Sequence, residues 1–200
     1  MHIKTADVVL FLHIGVAVAA FAVAAVLLVG LSQMRKAENV SVLRSWARVA
    51  HRAEPMFPVL VLILIVLGAW LIHLSGGQFS WSDGWVLTAV VGLVLMEAYG
   101  GMVLAPAGKK LHETVEAEPD GPITQEIRAM VVNRLVWAGA YGNTGVALGI
   151  LFTMPTKPAG AWSITIVAVA GIAATALGLQ LASAGERRSA PAVSASHLPG

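Results

Sequence analysis

The sequence predicts an all-α polytopic membrane protein with five transmembrane helices. Of its 200 residues, 57% are hydrophobic and 12% are charged, whereas a soluble domain carries about 25% charged residues. So few charged residues are not enough to cover the surface of a water-soluble domain. The composition therefore excludes a soluble enzyme, a nucleic-acid-binding domain and a disordered chain. The apolar residues are concentrated in five long runs, each close to the ~20 residues that a spanning helix needs.

These five runs set the boundaries of the predicted helices. None of them alternates with the period of a β-barrel strand, and their content of Ala, Leu, Val and Gly suits packed helices. They form one transmembrane domain over residues 1–182, followed by a cytoplasmic tail at 183–200 that is expected to be disordered. The predicted spans are residues 8–31, 56–74, 85–105, 135–153 and 162–182.

Basic residues set the predicted orientation. Eleven of the thirteen Lys and Arg residues follow the first, third or fifth span. By the positive-inside rule these segments are cytoplasmic, so that the N-terminus is outside and the C-terminus is inside. Trp70, Trp81, Trp85 and Trp162 lie near the opposite boundary, where indole rings favour the headgroup region. The predicted location is the inner (plasma) membrane of a bacterium.

The two long inner loops are predicted to be partly helical. Arg44, Arg48 and Arg52 recur every four residues within a predicted helix over residues 40–54. They form one basic stripe, which favours contact with anionic lipid, with docking of a partner as the alternative. In the second loop, residues 119–122 (Pro-Asp-Gly-Pro) predict a turn, and residues 123–134 are expected to help start the fourth helix.

Small residues indicate where the spans pack, because lipid supplies no hydrophobic drive for helix association. They predict an antiparallel four-helix bundle with one added C-terminal helix. Gly145-x-x-x-Gly149 is also the candidate seam of a homo-oligomer, provided that the bundle leaves it exposed. The small-residue faces are Ala17, Ala20 and Ala24 on the stripe of His13, Gly100-Gly101, Gly145-x-x-x-Gly149 and Ala174-x-x-x-Gly178.

Glu97 is an ionisable residue near the middle of the third span, roughly 18 Å from its outer boundary at 1.5 Å per residue. A charged group at that depth costs about 2.5–3.5 kcal/mol on insertion scales, so it requires an explanation. One hypothesis is a proton carrier or a cation ligand. The other is a protonated carboxyl within an intramembrane polar cluster of Glu97, Tyr99, Tyr141 and Asn143.

Two histidines lie near the outer face. His13 is five residues into the first span, and His73 ends the second. Such a pair can ligate a haem b iron axially or bind copper or another divalent metal. The alternative is one buried hydrogen-bonded histidine and one interfacial histidine. His112 and Glu116 share a helical face in an inner loop, which is expected to be a solvated surface. The chain has no cysteine, which excludes thiolate metal sites.

Short motifs within residues 6–158 carry a family resemblance. With them the chain resembles a bacterial family of small predicted integral membrane proteins of unknown function, whose members look like four-helix bundles. The fifth span and the tail depart from that pattern. The motifs are Phe11-Leu12-His13, Arg48-x-x-His51-Arg52-Ala53 before Phe57-Pro58, Gly68, Gly100-Gly101 before Lys109-Lys110-Leu111, and Met154-Pro155-Thr156-Lys157-Pro158.

A looser similarity connects the chain with haem-linked protoporphyrinogen oxidases and copper-resistance membrane proteins. Only the early His13 carries it. Those families also rely on further ligands or on a lysine within the spans, and the five predicted spans contain no lysine. The missing ligands and lysine therefore argue against oxidase chemistry.

Three functions follow as hypotheses. The first is a non-catalytic scaffold or accessory subunit of a membrane protein complex, or a homo-oligomer. The second is a b-type haem- or metal-binding redox protein that uses His13 and His73. The third is a small proton-coupled transporter centred on Glu97. The lipid bilayer is a partner in all three, nucleic acid is a partner in none, and the sequence favours a non-enzyme.

Overall fold

Helices make up nearly all of the described chain. The computed structural model describes residues 4–189, with side chains up to residue 185. A π-helical segment, Gly100–Leu104, joins the fourth α-helix to the fifth without a break. The α-helices of this part of the chain are α1 (Thr5–Lys36), α2 (Val40–Ala53), α3 (Met56–Leu74), α4 (Gly84–Tyr99), α5 (Ala105–Ala117), α6 (Gln125–Val131), α7 (Arg134–Thr156) and α8 (Gly160–Ser189).

Five helical segments are long and apolar enough to cross a membrane, as predicted. Four of them have 32 residues or more, which at 1.5 Å per residue exceeds the ~30 Å hydrocarbon core. The additional turns belong to the loops in which the basic residues are concentrated. The segments are Thr5–Lys36, Val40–Leu74, Gly84–Ala117, Gln125–Thr156 and Gly160–Gly185.

Side-chain caps start three of the helices. The side-chain oxygens of Asn39, Thr124 and Asn133 accept hydrogen bonds from backbone N–H groups in the first turns of α2, α6 and α7. Asn and Thr are effective at this position because they satisfy N–H groups that the helix leaves unpaired. The cap at Asn133 separates α6 from α7, so α6 is a short helix of its own and not the first turns of the fourth span.

The long helices pack as two groups. In the first group, α1 packs on α3. In the second, α7 and α8 share the most extensive interface, and both also contact α4. Within the described residues, α1 and α3 make few contacts with the second group. The expected four-helix bundle with an added fifth helix differs from this grouping, because α8 is an integral member of the second group.

Small residues allow α7 and α8 to approach closely. A Cβ atom added to Gly145 would collide with the carbonyl oxygen of Ala170 and lie 2.5 Å from Cβ of Ala174. One added to Gly149 would lie 2.8 Å from Cα of Val167. The predicted packing role of these glycines is confirmed. Because α8 covers them, they do not form the exposed oligomer seam that the sequence offered as a candidate.

The larger hydrophobic core lies at the end of the molecule that carries α2, α5 and α6, which we call the basic end. Trp137 is fully buried there and donates from Nε1 to the carbonyl of Val131 at 2.9 Å. The guanidinium carbon of Arg35 lies 4.8 Å from the Trp137 ring centroid, a cation–π geometry. This core contains Leu31, Met34, Ala37, Val40, Leu43, Ala47, Leu111, Val115, Ile127, Val131, Trp137 and Ala182.

The end of α8 corrects the predicted tail. The helix continues to Ser189, so residues 183–189 are helical where disorder was expected. Ala182 is fully buried, and a Cβ atom added to Gly185 would lie 2.9 Å from Cγ1 of Val132. Packing against the junction of α6 and α7 therefore favours the helix beyond residue 182. The rest of the predicted tail, residues 190–200, lies outside the described residues.

Candidate functional site

Glu97 lies on α4, three residues before the π-helical segment. Its Oε1 atom is buried and has no hydrogen-bond partner among the described residues. Beside it, Cβ atoms added to Gly100 or Gly101 would meet no other atom within 4 Å. Single-turn π segments occur frequently at functional sites. The structure thus places an uncompensated carboxyl group next to an irregular, uncrowded stretch of helix.

Two of the predicted partners of Glu97 bond to backbone instead. The Tyr99 hydroxyl donates to the carbonyl of Leu135 at 2.9 Å, and Asn143 Nδ2 donates to the carbonyl of Met96 at 3.3 Å. Both bonds connect α4 with α7. Interhelical hydrogen bonds of this kind average below ~1 kcal/mol in membranes, but they set the rotation and register of the helices.

Tyr141, the third predicted partner, packs at the basic end of α7. Its ring stacks on Trp137 with centroids 5.9 Å apart and planes at 12°. Its Cβ atom would lie 3.0 Å from a Cβ atom added to Gly178 on α8. Among the described residues, no hydrogen bond joins any two members of the predicted cluster of Glu97, Tyr99, Tyr141 and Asn143, so its tyrosines and asparagine act as helix contacts.

His13 lies in the interface between α1 and α3. A Cβ atom added to Gly68 would lie 3.4 Å from its Cε1 atom, and its Nδ1 atom is buried without a hydrogen-bond partner among the described residues. His73 is five residues beyond Gly68, which rotates it about 140° around α3 and moves it about 7.5 Å along the axis. His73 is also exposed. The two histidines therefore lie on different faces, which is a poor arrangement for two axial ligands of one haem.

Arg44 ties α2 to the end of α5. Its Nε donates to the carbonyl of Val115 at 3.0 Å, and its two terminal nitrogens donate to the carbonyl of Glu118 and to Asp120 Oδ1. Its side chain is 18% exposed. The four-residue periodicity of the sequence placed Arg44 in a basic stripe. It did not predict these acceptors, which lie more than 70 residues away in the sequence.

Arg48, one turn after Arg44, also connects α2 with α5. Its guanidinium group bonds both carboxylate oxygens of Glu116, a bidentate geometry that only arginine provides. Arg52, the third member of the stripe, is exposed and has no hydrogen bond or ion pair among the described residues. The lipid-facing stripe expected from the sequence is therefore wrong for Arg44, which is mostly buried against α5. Arg48 also bonds α5, but its side chain is 52% exposed, so its contact with lipid stays a prediction.

Two further arginines join the helix groups at the basic end. Arg35 on α1 donates to the carbonyl of Leu181 on α8 at 2.6 Å. Arg128 on α6 donates to the carbonyls of Arg35 and Ala37 at 3.1 and 2.9 Å. The carbonyls of Arg35 and Ala37 lie at the end of α1, where no intrahelical donor is present, whereas that of Leu181 lies within α8. Basic residues that the sequence indicated only as topology signals thus also connect the helices.

Two histidines, His51 and His112, are in contact at the interface between α2 and α5. The rings of His51 and His112 stack with centroids 4.3 Å apart and planes at 14°. A Cβ atom added to Gly108 would lie 3.2 Å from Glu54 Oε2. Despite this gathering of polar groups, no set of three or more His, Cys, Asp or Glu side chains with metal-binding geometry occurs within residues 4–185. The sequence carried no signal that these two histidines lie against each other.

Comparison of the chain with protein-family models, with curated proteins and with solved structures finds no match. The resemblance to a bacterial membrane family therefore stays a prediction.

Proposed function

We propose that the chain is a non-catalytic accessory subunit or scaffold of a protein complex in a bacterial inner membrane. In this proposal the basic end faces the cytoplasm, as the positive-inside rule requires. The loop that joins α3 to α4 and the loop that joins α7 to α8 then face outward. The compact basic end holds the helices in place, and the apolar faces of the spans are available to a partner.

The observation that carries this proposal is the uneven coverage of the spans. In the most apolar stretch of Val40–Leu74, 11% of the residues are buried, against 17–22% in three of the other spans and 39% in Gln125–Thr156. Val59, Leu62 and Val66 on α3 are 56%, 62% and 56% exposed. Because the second helix group covers so little of α1 and α3, this pair presents an uncovered apolar face long enough for a partner helix.

The polar side chains within the spans support the same function. Tyr99 and Asn143 hydrogen-bond to backbone carbonyls of neighbouring helices, which fixes helix positions. At the basic end, Arg35, Arg44 and Arg128 do the same. Of the predicted polar cluster, Tyr99 and Asn143 thus hold helices together, whereas Glu97 Oε1 has no hydrogen-bond partner among the described residues.

Photo-crosslinking in native membranes tests this proposal. We expect p-benzoyl-phenylalanine in place of Leu62 to give a discrete protein adduct, because the face of α3 contacts a partner helix. In place of Val169, which is 59% exposed on α8, it should give no discrete adduct. An adduct of twice the chain mass identifies a second copy, and any other mass identifies a different subunit. Absence of a discrete adduct at Leu62, Val59 and Val66 contradicts the proposal.

Proton-coupled transport is the second candidate function, and the unpartnered carboxyl group of Glu97 beside the π-helical segment favours it. Glu97→Gln keeps the shape of the side chain but removes its ability to bind and release a proton. In proteoliposomes loaded with a pH-sensitive dye, we expect no proton flux from the native chain and an unchanged Leu62 crosslink in the variant. A flux that Glu97→Gln abolishes, and that Glu113→Gln on exposed α5 preserves, identifies a transporter instead.

A further inference from the structure

An elongated cavity of about 790 Å³ lies between α4, α7 and α8. It extends from Gly84 and Gly160, where the backbones of α4 and α8 come into contact, to Tyr99 and Thr175. The stretch of α4 that lines it is about 18 Å long from Leu87 to Tyr99, at 1.5 Å per residue. Its volume lies within the range of about 300–1,000 Å³ that is typical of small-molecule sites.

Four polar side chains, those of Thr88, Tyr99, Asn143 and Thr175, interrupt its apolar lining. The hydroxyls of Thr88 and Tyr99 donate to the carbonyls of Gly84 and Leu135. Asn143 donates one amide N–H to the carbonyl of Met96, so that its second N–H and its Oδ1 atom have no partner among the described residues. The hydroxyl of Thr175 also has none there. By contrast, the hydroxyls of Thr144 and Thr165 each bond the carbonyl four residues earlier. The cavity therefore offers free hydrogen-bonding groups in an otherwise apolar setting.

The depth of these groups restricts the occupant. Thr175 is seven residues from the cytoplasmic end of its predicted span and Asn143 is eight, or about 11–12 Å at 1.5 Å per residue. Both thus lie near the middle of the ~30 Å hydrocarbon core, below the headgroups of phospholipids. Within residues 4–185, none of the twenty residues that line the cavity is charged, which favours a neutral molecule.

We infer that this cavity binds a neutral, single-tailed lipid whose compact head carries carbonyl oxygens, the chemistry of a membrane quinone. The free N–H of Asn143 and the hydroxyl of Thr175 donate to the head, and the tail follows the apolar wall of α4 toward Gly84. The site lies on the second helix group, so it is independent of the proposed partner face on α3.

Quinone binding to the full-length protein in nanodiscs of synthetic dioleoylphosphatidylcholine tests this inference. Decylubiquinone is titrated while tryptophan fluorescence is recorded, because Trp137 is two residues from Gly139 in the cavity lining. We expect saturable quenching. Thr175→Val removes the hydroxyl at nearly constant shape and should weaken binding about fivefold, the effect of one lost hydrogen bond. Asn143→Leu should weaken it at least as much.

A pair of matched variants separates the cavity from the surrounding lipid. Ala168→Phe places a ring in the cavity and should remove the saturable quenching, whereas Ala173→Phe, on the exposed face of the same helix outside the lining, should preserve it. If size-exclusion chromatography shows that Ala168→Phe does not fold as the native protein does, Val91→Phe on the opposite wall of the cavity repeats the test. Linear quenching that these variants leave unchanged shows partition into lipid and overturns the inference. Equal competition by decylbenzene, which has no carbonyl oxygen, overturns the assignment of the head.

Discussion

Replacing Gly145 with alanine is expected to lower the apparent melting temperature in mild detergent by about 6–12 °C. The added methyl group would collide with the backbone oxygen of Ala170 and lie 2.5 Å from Cβ of Ala174. Helices α7 and α8 must then move apart along the most extensive interface of the molecule. Overpacking of this kind costs about 3 kcal/mol, and for a chain of this size each kcal/mol corresponds to about 2–4 °C.

The control for this prediction is the same substitution at an open position. Gly15 lies on the exposed face of α1, where an added Cβ atom meets nothing within 4 Å. Because alanine favours a helix by about 1 kcal/mol over glycine, Gly15→Ala should preserve or raise the melting temperature. Equal melting temperatures for the two variants would show that α7 and α8 are not in close contact.

Replacing Arg44 with alanine should have a comparably large effect at the basic end. The change leaves the carbonyls of Val115 and Glu118 without their donor and removes the ion pair with Asp120. Losing charge-assisted hydrogen bonds at a mostly buried position costs about 3 kcal/mol, or about 6–12 °C in the apparent melting temperature. Thermal unfolding followed by circular dichroism measures this loss.

Two further variants test whether the geometry of Arg44 matters or only its charge. Arg52→Ala removes an exposed member of the same stripe and should change the melting temperature by less than about 2 °C. Arg44→Lys keeps the positive charge but loses the planar fork that reaches three acceptors. It should therefore resemble Arg44→Ala. A lysine variant as stable as the native chain would contradict the hydrogen-bonded role.

The sequence predicts the five long apolar helices because their residues satisfy a one-dimensional requirement of length and hydrophobicity. It also predicts that Gly145 and Gly149 lie at an interface, since small residues are needed wherever two backbones approach. Both expectations agree with the structure. Both expectations depend on the composition of each helix and not on which other helix packs against it.

The neighbours themselves were not predictable in the same way. The apolar pattern of the fifth span does not indicate whether it lies beside a bundle or within a group with α4 and α7, because lipid and protein interiors are similarly apolar. The same limit applies to the candidate site. His13 and His73 lie toward the same end of their helices, but a rotation of about 140° and a shift of about 7.5 Å along α3 separate His73 from the position that faces His13. A linear sequence carries no measure of which position on α3 faces His13. The acceptors of Arg44 are main-chain carbonyls, which every residue has.

The hydrogen bond from Arg35 to Leu181 also imposes an order of events during synthesis. The two residues are 146 positions apart in the chain. At about 5–20 residues per second, a ribosome completes the acceptor roughly 7–30 s after the donor. During this interval the first helix hairpin exists without its closing contact, and no earlier part of the chain supplies that carbonyl. Helix α8 thus supplies a contact that the first helix hairpin lacks until α8 is made, and a chain truncated before α8 has no Leu181 carbonyl for Arg35.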